Sequence, residues 1–114
     1  MKYGSTAYIA GPMSIRKNDC YNFHMFFYWQ VTLERSGYTV INPAEMDCRK
    51  ALYSEWYPKA EEYEEILSGD LKMIAERADW LFVLKGWEDS PGAKREIKKA
   101  EELGIPVFYE GEKL

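Results

Sequence analysis

Residues 79 to 84, DWLFVL, constrain the chain most. Five apolar side chains in succession leave no polar face, which suits a strand covered on both sides and not one that turns a face to water. Three further strand signals flank it. STAYIA at 5 to 10 stops at Gly11-Pro12, YTVI at 38 to 41 closes on Asn42-Pro43, and IPVFY at 105 to 109 ends the pattern. Helical periodicity fills the intervals. A first helix runs from about Asn18 or Tyr21 to Arg35, with Phe23, Phe26, Phe27, Gln30 and Leu33 on one side and Gly37 as its stop. A second runs from about Ala60 to Ala78, and a third over 90 to 104 behind the loop KGWED. The stretch from Ala44 to Pro58 reads as short helical turns around MDCRKALYSEW.

Strand and helix signals that alternate with connections this long imply right-handed crossovers and a parallel sheet between helical layers. The expected fold is therefore α/β, a Rossmann-like (flavodoxin-like) three-layer sandwich with four or five strands. The 114 residues make one domain, 1 to 114. With 46% apolar and 30% charged residues the composition is that of a globular protein. No apolar run has the length of a membrane span, and the N-terminal MKYGSTAYIAGPM lacks the basic and long apolar regions of a secretory signal, so a cytoplasmic location is expected. Cys20 and Cys48 read as free thiols. One histidine and two scattered cysteines give no metal-ligand spacing, and no metal or cofactor is expected. A net charge of -4 without a long basic run argues against a nucleic-acid polymer as partner.

Ligands of such sheets bind at the carboxyl ends of the strands, beside the reversal in strand order. The loops there are GPMSIRKND, NPAEMD and KGWEDSPG. Two carboxylates point toward them from unexpected places. On the third helix Ala93, Ile97, Ala100 and Leu103 form the apolar stripe, and Glu96 falls inside it. On the second, Asp70 lies within the stripe of Tyr63, Leu67, Leu71, Ile74 and Ala78. One inward acid is as well explained by a satisfied buried group as by function. Two in one small domain favour function, because desolvated carboxylates carry perturbed pKa values and cluster at active sites. A pair of acids suits reaction at a sugar's anomeric carbon.

The start of the third helix adds an anion site. Ser90 is a natural N-cap, Pro91 a natural first residue, and Gly92 leaves the start open. Free amides there attract a phosphate. Glu96 stands about 6 Å beyond Gly92 along the axis, so a phosphate at the helix start leaves its sugar over the carboxylate. An ordinary Ser-Pro helix start is the plain alternative.

YIAGPM at 8 to 13, YNF at 21 to 23, NPAE at 42 to 45, GDLKMIAERADWLFVL at 69 to 84 and GWEDSPGAKREI at 86 to 97 together resemble the nucleoside 2-deoxyribosyltransferase-like superfamily. The nearest branch is the domain of unknown function 4406, found mostly in phage and bacteria. The resemblance runs from Tyr8 to about Gly104, and the order and spacing of its short motifs make it specific. It implies that Glu96 attacks C1' of a nucleoside 5'-monophosphate or nucleoside, that Asp70 assists at the base or sugar with Asp79 as second acid of its motif, and that Tyr8 orients Glu96. It implies also that Ser90 and Gly92 hold a 5'-phosphate, which favours a nucleotide over a free nucleoside. Lys94 and Arg95 replace the small or apolar residues usual before the nucleophile, and the GPM loop differs from the glycine-rich loops of the better-known enzymes, so base identity does not carry over.

Around these, Gly11, Pro12 and Met13 of the first loop, Asn22 and Trp87 complete the expected substrate-binding set, with helix capping and loop packing as the plain alternatives for Asn22, Met13 and Trp87. His24, Met25, Tyr28, Trp29 and Thr32 fall on the outer side of the first helix, an apolar patch that suggests a homo-oligomer, dimer or higher. KAEEYEEIL reads as a solvated helix face. The expected activity is cleavage or transfer of an N-glycosidic bond in a bacterial or phage-infected host cytoplasm. A nucleotide-binding or sequestering protein without turnover is the rival. Cleavage of a dinucleotide ranks last, because no GxGxxG fingerprint is present.

Overall fold

A computed structural model describes residues 4–12, 23–45 and 60–112. Met13, Asn22, Cys20, Cys48, the turns expected after residue 45 and the side chains of Phe23, Tyr63 and Leu67 lie outside the described residues.

Four strands, β1 (Thr6–Ala10), β2 (Thr39–Ile41), β3 (Trp80–Val83) and β4 (Val107–Tyr109), form one parallel sheet in the order β2-β1-β3-β4. Among the described residues three helices connect them: α1 (Phe23–Arg35), α2 (Ala60–Arg77) and α3 (Pro91–Leu103). The chain steps one way across the sheet from β1 to β2, then back over β1 to β3 and on to β4. Right-handed crossovers in opposite directions put their helices on opposite faces. Accordingly α1 lies over Ala7, Ile9, Trp80 and Phe82, while Tyr8, Ala10, Leu81 and Val83 face Ile74 of α2 and Ile97 and Ala100 of α3. The result is the α/β three-layer sandwich expected, with four strands, and its reversal point falls between the carboxyl ends of β1 and β3.

All four residues of β3 are buried, as the unbroken apolar run required. At the reversal point the two exits pack without room for side chains. A Cβ on Gly11 would stand 2.8 Å from Leu84 Cβ, and one on Gly86 would stand 3.1 Å from Pro12. Gly86 also holds φ at +91°, a region that favours glycine.

Two helix faces differ from the wheel. Trp29 and Met25 pack against the core, and the Trp29 ring lies 4.8 Å from that of Phe82, tilted by 45°. The buried residues of α1 are Phe26 and Leu33, with Met25, the expected Phe27 and Trp29 half-buried beside them, because the aromatic surface of the sheet draws the Trp29 indole inward. Gln30 sits at the margin instead, where its Oε1 accepts from Asn42 Nδ2 at 3.0 Å. Only Tyr28 and Val31 remain as large apolar side chains exposed on α1 among the described residues. On α3, Leu103 is exposed where the stripe predicted burial. Gly104 takes a left-handed conformation and turns its N–H back to the carbonyls of Ala100 and Glu101, so Ile105 reaches the core in place of Leu103.

Candidate active site

The helical wheel puts Glu96 among apolar neighbours, and the structure buries it, with 6% of its surface exposed. Among the described residues its side chain bonds to the phenol of Tyr8, whose hydroxyl donates to Oε2 at 2.5 Å across 88 residues of chain. β1 makes this possible because alternate residues share a face: Tyr8 turns toward α3 while Ala7 and Ile9 turn toward α1. Burial pushes the Glu96 carboxyl up from 4.5 to about 8; the Tyr8 bond pulls against that shift, and the Asp70 carboxylate adds to it. Desolvation wins because one hydrogen bond replaces only part of a carboxylate's lost hydration. Asp70, half-buried on α2, is thus close enough for its charge to be felt. Two helices and a central strand converge three of the expected residues, Tyr8, Asp70 and Glu96.

Upstream of Glu96 the helix start is built as its sequence suggests. Ser90 is the N-cap, with its Oγ accepting from Ala93 N at 3.2 Å and its carbonyl from Lys94 N at 3.1 Å. Pro91 brings no N–H, and Gly92 is buried. Of the first-turn amides this leaves that of Gly92 unused by the cap. A three-residue 3-10 turn at Trp87–Asp89 leads into the cap, and Ser90 N donates to Trp87 O at 3.0 Å. From the sequence pattern KGWED is expected as a loop, and the short turn is the difference. Trp87 is half-buried against the cluster that includes Tyr8 and Ile97, with its ring 5.4 Å from that of Tyr109. Partial burial holds the Tyr109 phenol above its usual range, and Glu101 and Glu112 add to the effect.

Other expected residues take different places. Gly11 and Pro12 stand at the reversal point, where their role is close packing against Leu84 and Gly86. Asp79 is at the opposite end of the sheet. It precedes β3, and its Oδ2 accepts from Thr6 N at 2.8 Å, so it ties the entry of β1 to that of β3 and is not brought to Glu96. Sequence reasoning missed Tyr109 and Glu110, whose positions follow only once β4 is laid beside β3. Glu110 closes that end of the sheet: its Oε1 accepts from Lys85 N at 3.3 Å, and its Oε2 lies 3.9 Å from Lys85 Nζ. Among the described residues no three His, Cys, Asp or Glu side chains gather as a metal site. Nor is any described helix long and apolar enough to cross a membrane.

The arrangement is a buried acid bonded to a phenol, with a second acid nearby and a helix start one turn away. Comparison with protein families gives the class of protein. A family model, Domain of unknown function (DUF4406), matches residues 5–109. The chain belongs to that family, and the match takes in every element just described. No curated protein matches it.

Proposed function

We propose that the protein cleaves, or transfers across, the N-glycosidic bond of a (deoxy)nucleoside 5'-monophosphate, as the likeness of its motifs to the nucleoside 2-deoxyribosyltransferase-like superfamily implies. The observation that carries the reading is the buried Glu96 held at 2.5 Å by Tyr8, one turn below a helix start whose Gly92 amide the cap leaves unused, and within electrostatic reach of Asp70. The 5'-phosphate sits at Gly92 and Ser90, and the sugar lies over Glu96. An ionised Glu96 oxygen attacks C1'. The C1'–N bond breaks, the base leaves with its electron pair and takes a proton from solvent, and a glycosyl ester forms on Glu96. Water, or a second base, then attacks C1' and gives up its proton to solvent, the ester bond breaks, and the carboxylate returns. Tyr8 orients the attacking oxygen, and Asp70 bonds to the base or sugar as charge develops. The chain supplies the nucleophile and the residues that orient it, solvent or a second base supplies the rest, and the setting is the cytoplasm of a bacterium or an infected host.

A second reading has its own support. A carboxyl held at about 8 is mostly protonated at neutral pH, and a neutral acid is suited to hydrogen-bonding a nucleotide without attacking it. Incubating wild type and Glu96→Gln with ribo- and deoxyribonucleoside 5'-monophosphates and the matching nucleosides, with chromatography of free base, separates the two. Release by wild type alone is the expected result. Absence of release from every compound, with thermal stabilisation by one of them in both proteins, would establish the sequestering reading.

We also propose a homodimer or higher assembly, now resting on Tyr28 and Val31 of α1 after Met25 and Trp29 have turned inward.

A further inference from the structure

On the far side of the α3 start from Glu96 is a depression of about 310 Å³, lined by Lys85, Gly86, Trp87, Glu88, Tyr109 and Glu110 among others. Sheet order fixes where it stands. Tyr8 is on β1, the next strand to β3, and Tyr109 is on β4, on the other side of β3 and on the same face. The two tyrosines are therefore two strand spacings apart across the sheet and two residues apart along it, roughly 12 Å, with the start of α3 reached from the exit of β3 between them. Asp70 and Glu96 occupy the β1 side of that divide, and the depression occupies the β4 side.

Its lining has the chemistry of a ring seat. Trp87 and Tyr109 meet at 45°, which makes an aromatic corner and not a closed stack. Glu110 is held in place by the backbone and side chain of Lys85 and is little exposed, while Glu88 stands open at the rim. An aromatic surface beside carboxylate acceptors fits a planar heterocycle that carries amino donors. A phosphate is not suited there, because the two carboxylates outnumber the one lysine. Trp87 joins the depression to the start of α3 directly, since its carbonyl accepts from Ser90 N.

We propose that this depression seats a second, amino-bearing heteroaromatic ring attached through the substrate's 5'-phosphate, so that the preferred substrate is a dinucleotide or a nucleotide 5'-phosphodiester, the class that the missing GxGxxG fingerprint ranks last and that the aromatic corner of Trp87 and Tyr109 favours. The inference rests on the reading above for the phosphate at α3 and the sugar over Glu96. With those two points fixed, the cleaved base points toward Asp70, and whatever the phosphate carries on its other side extends toward Trp87 and Tyr109. The bond broken is the same C1'–N bond, and the bridging phosphate is left intact.

The test compares a nucleoside 5'-monophosphate with the same nucleotide joined through its 5'-phosphate to adenosine, in wild type, Tyr109→Leu and the rim variant Glu88→Lys, which alters an exposed side chain. Base release gives kcat/KM, and calorimetric titration of the Glu96→Gln background gives affinity whether or not turnover occurs. Expected are at least tenfold higher kcat/KM and tenfold tighter binding for the adenosine-linked compound, with the ratio falling toward one in Tyr109→Leu and reduced in Glu88→Lys. Equal values for the two compounds in wild type, or a preference that survives both substitutions, would overturn the proposal. Preferential binding without base release by any protein would leave the second-ring seat standing and remove the cleavage reading. Binding of neither compound would remove both.

Discussion

Glu96 is the residue at which stability and function oppose each other. Its folded carboxyl titrates near 8 and its unfolded one near 4.5, so between those values the folded state holds a proton the unfolded state has lost. Stability therefore falls as pH rises through that window, at up to about 1.4 kcal/mol per unit and on the order of 5 kcal/mol in all. A glutamine in its place is neutral throughout. We expect Glu96→Gln to gain stability over wild type progressively from pH 5 to pH 8 and to hold that gain above it, as read by urea unfolding at pH 5, 7 and 9; a difference that ignores pH would contradict the burial account. Catalysis by an ionised Glu96 has the opposite demand, so kcat/KM for base release should climb with pH toward a plateau above about 8. Removing the Tyr8 hydroxyl in Tyr8→Phe takes away the one interaction that pulls the value down, and should move that climb to higher pH. The inward acid was legible in the sequence because a charge in an apolar stripe is a plain violation of the pattern. Its partner was not legible from periodicity: that Tyr8, 88 residues away, meets Glu96 depends on which face of β1 packs under α3.

Among the elements, the exits of β1 and β3 and the start of α3 carry the geometry. Gly11 has no space for a methyl group against Leu84, whose Cβ moves only with its backbone, so Gly11→Ala should cost about 1–3 kcal/mol in unfolding free energy. Retention of wild-type stability by that variant would show that the two exits yield easily. Ser90→Ala removes the cap on Ala93 N and should cost about 1 kcal/mol in stability. It should also raise KM for a monophosphate more than for the matching nucleoside, whereas equal effects on both would count against a phosphate at the helix start. The cap was readable as Ser-Pro-Gly. The aromatic phase of α1 was not, because a wheel counts apolar residues without knowing that rings on the sheet beneath, Trp80 and Phe82, select Trp29 over Gln30. Asp79 misled for a related reason: it matches a motif in chain order, but it precedes β3, and in a parallel sheet the entry of a strand is a strand's length from the exits where ligands bind.

At the scale of the molecule, strand order decides what can meet. The alternation of strand and helix predicted a parallel sandwich, and the order β2-β1-β3-β4 brings the loops after β1 and β3 to one crevice. Sequence could not give that order, since β3 might lie on either side of the first pair without changing any local pattern. The assembly proposed through α1 is testable in the same terms: Tyr28→Arg should shift sedimentation of a dimer toward the monomer with little change in melting temperature, because the side chain is more than half exposed. A wild-type chain that sediments as a monomer at tens of micromolar would contradict it. Attack by Glu96 on C1' is the claim on which the rest depends, and intact-protein mass spectrometry reads it directly. A 2'-fluoro-2'-deoxynucleotide slows both steps by destabilising positive charge at C1', and a rapidly quenched reaction should show wild type heavier by one fluorodeoxyribosyl phosphate, with the added mass on the peptide holding Glu96 and none on Glu96→Gln. Release of base with the protein mass unchanged at every time point would mean that water attacks C1' directly and that Glu96 is not the nucleophile.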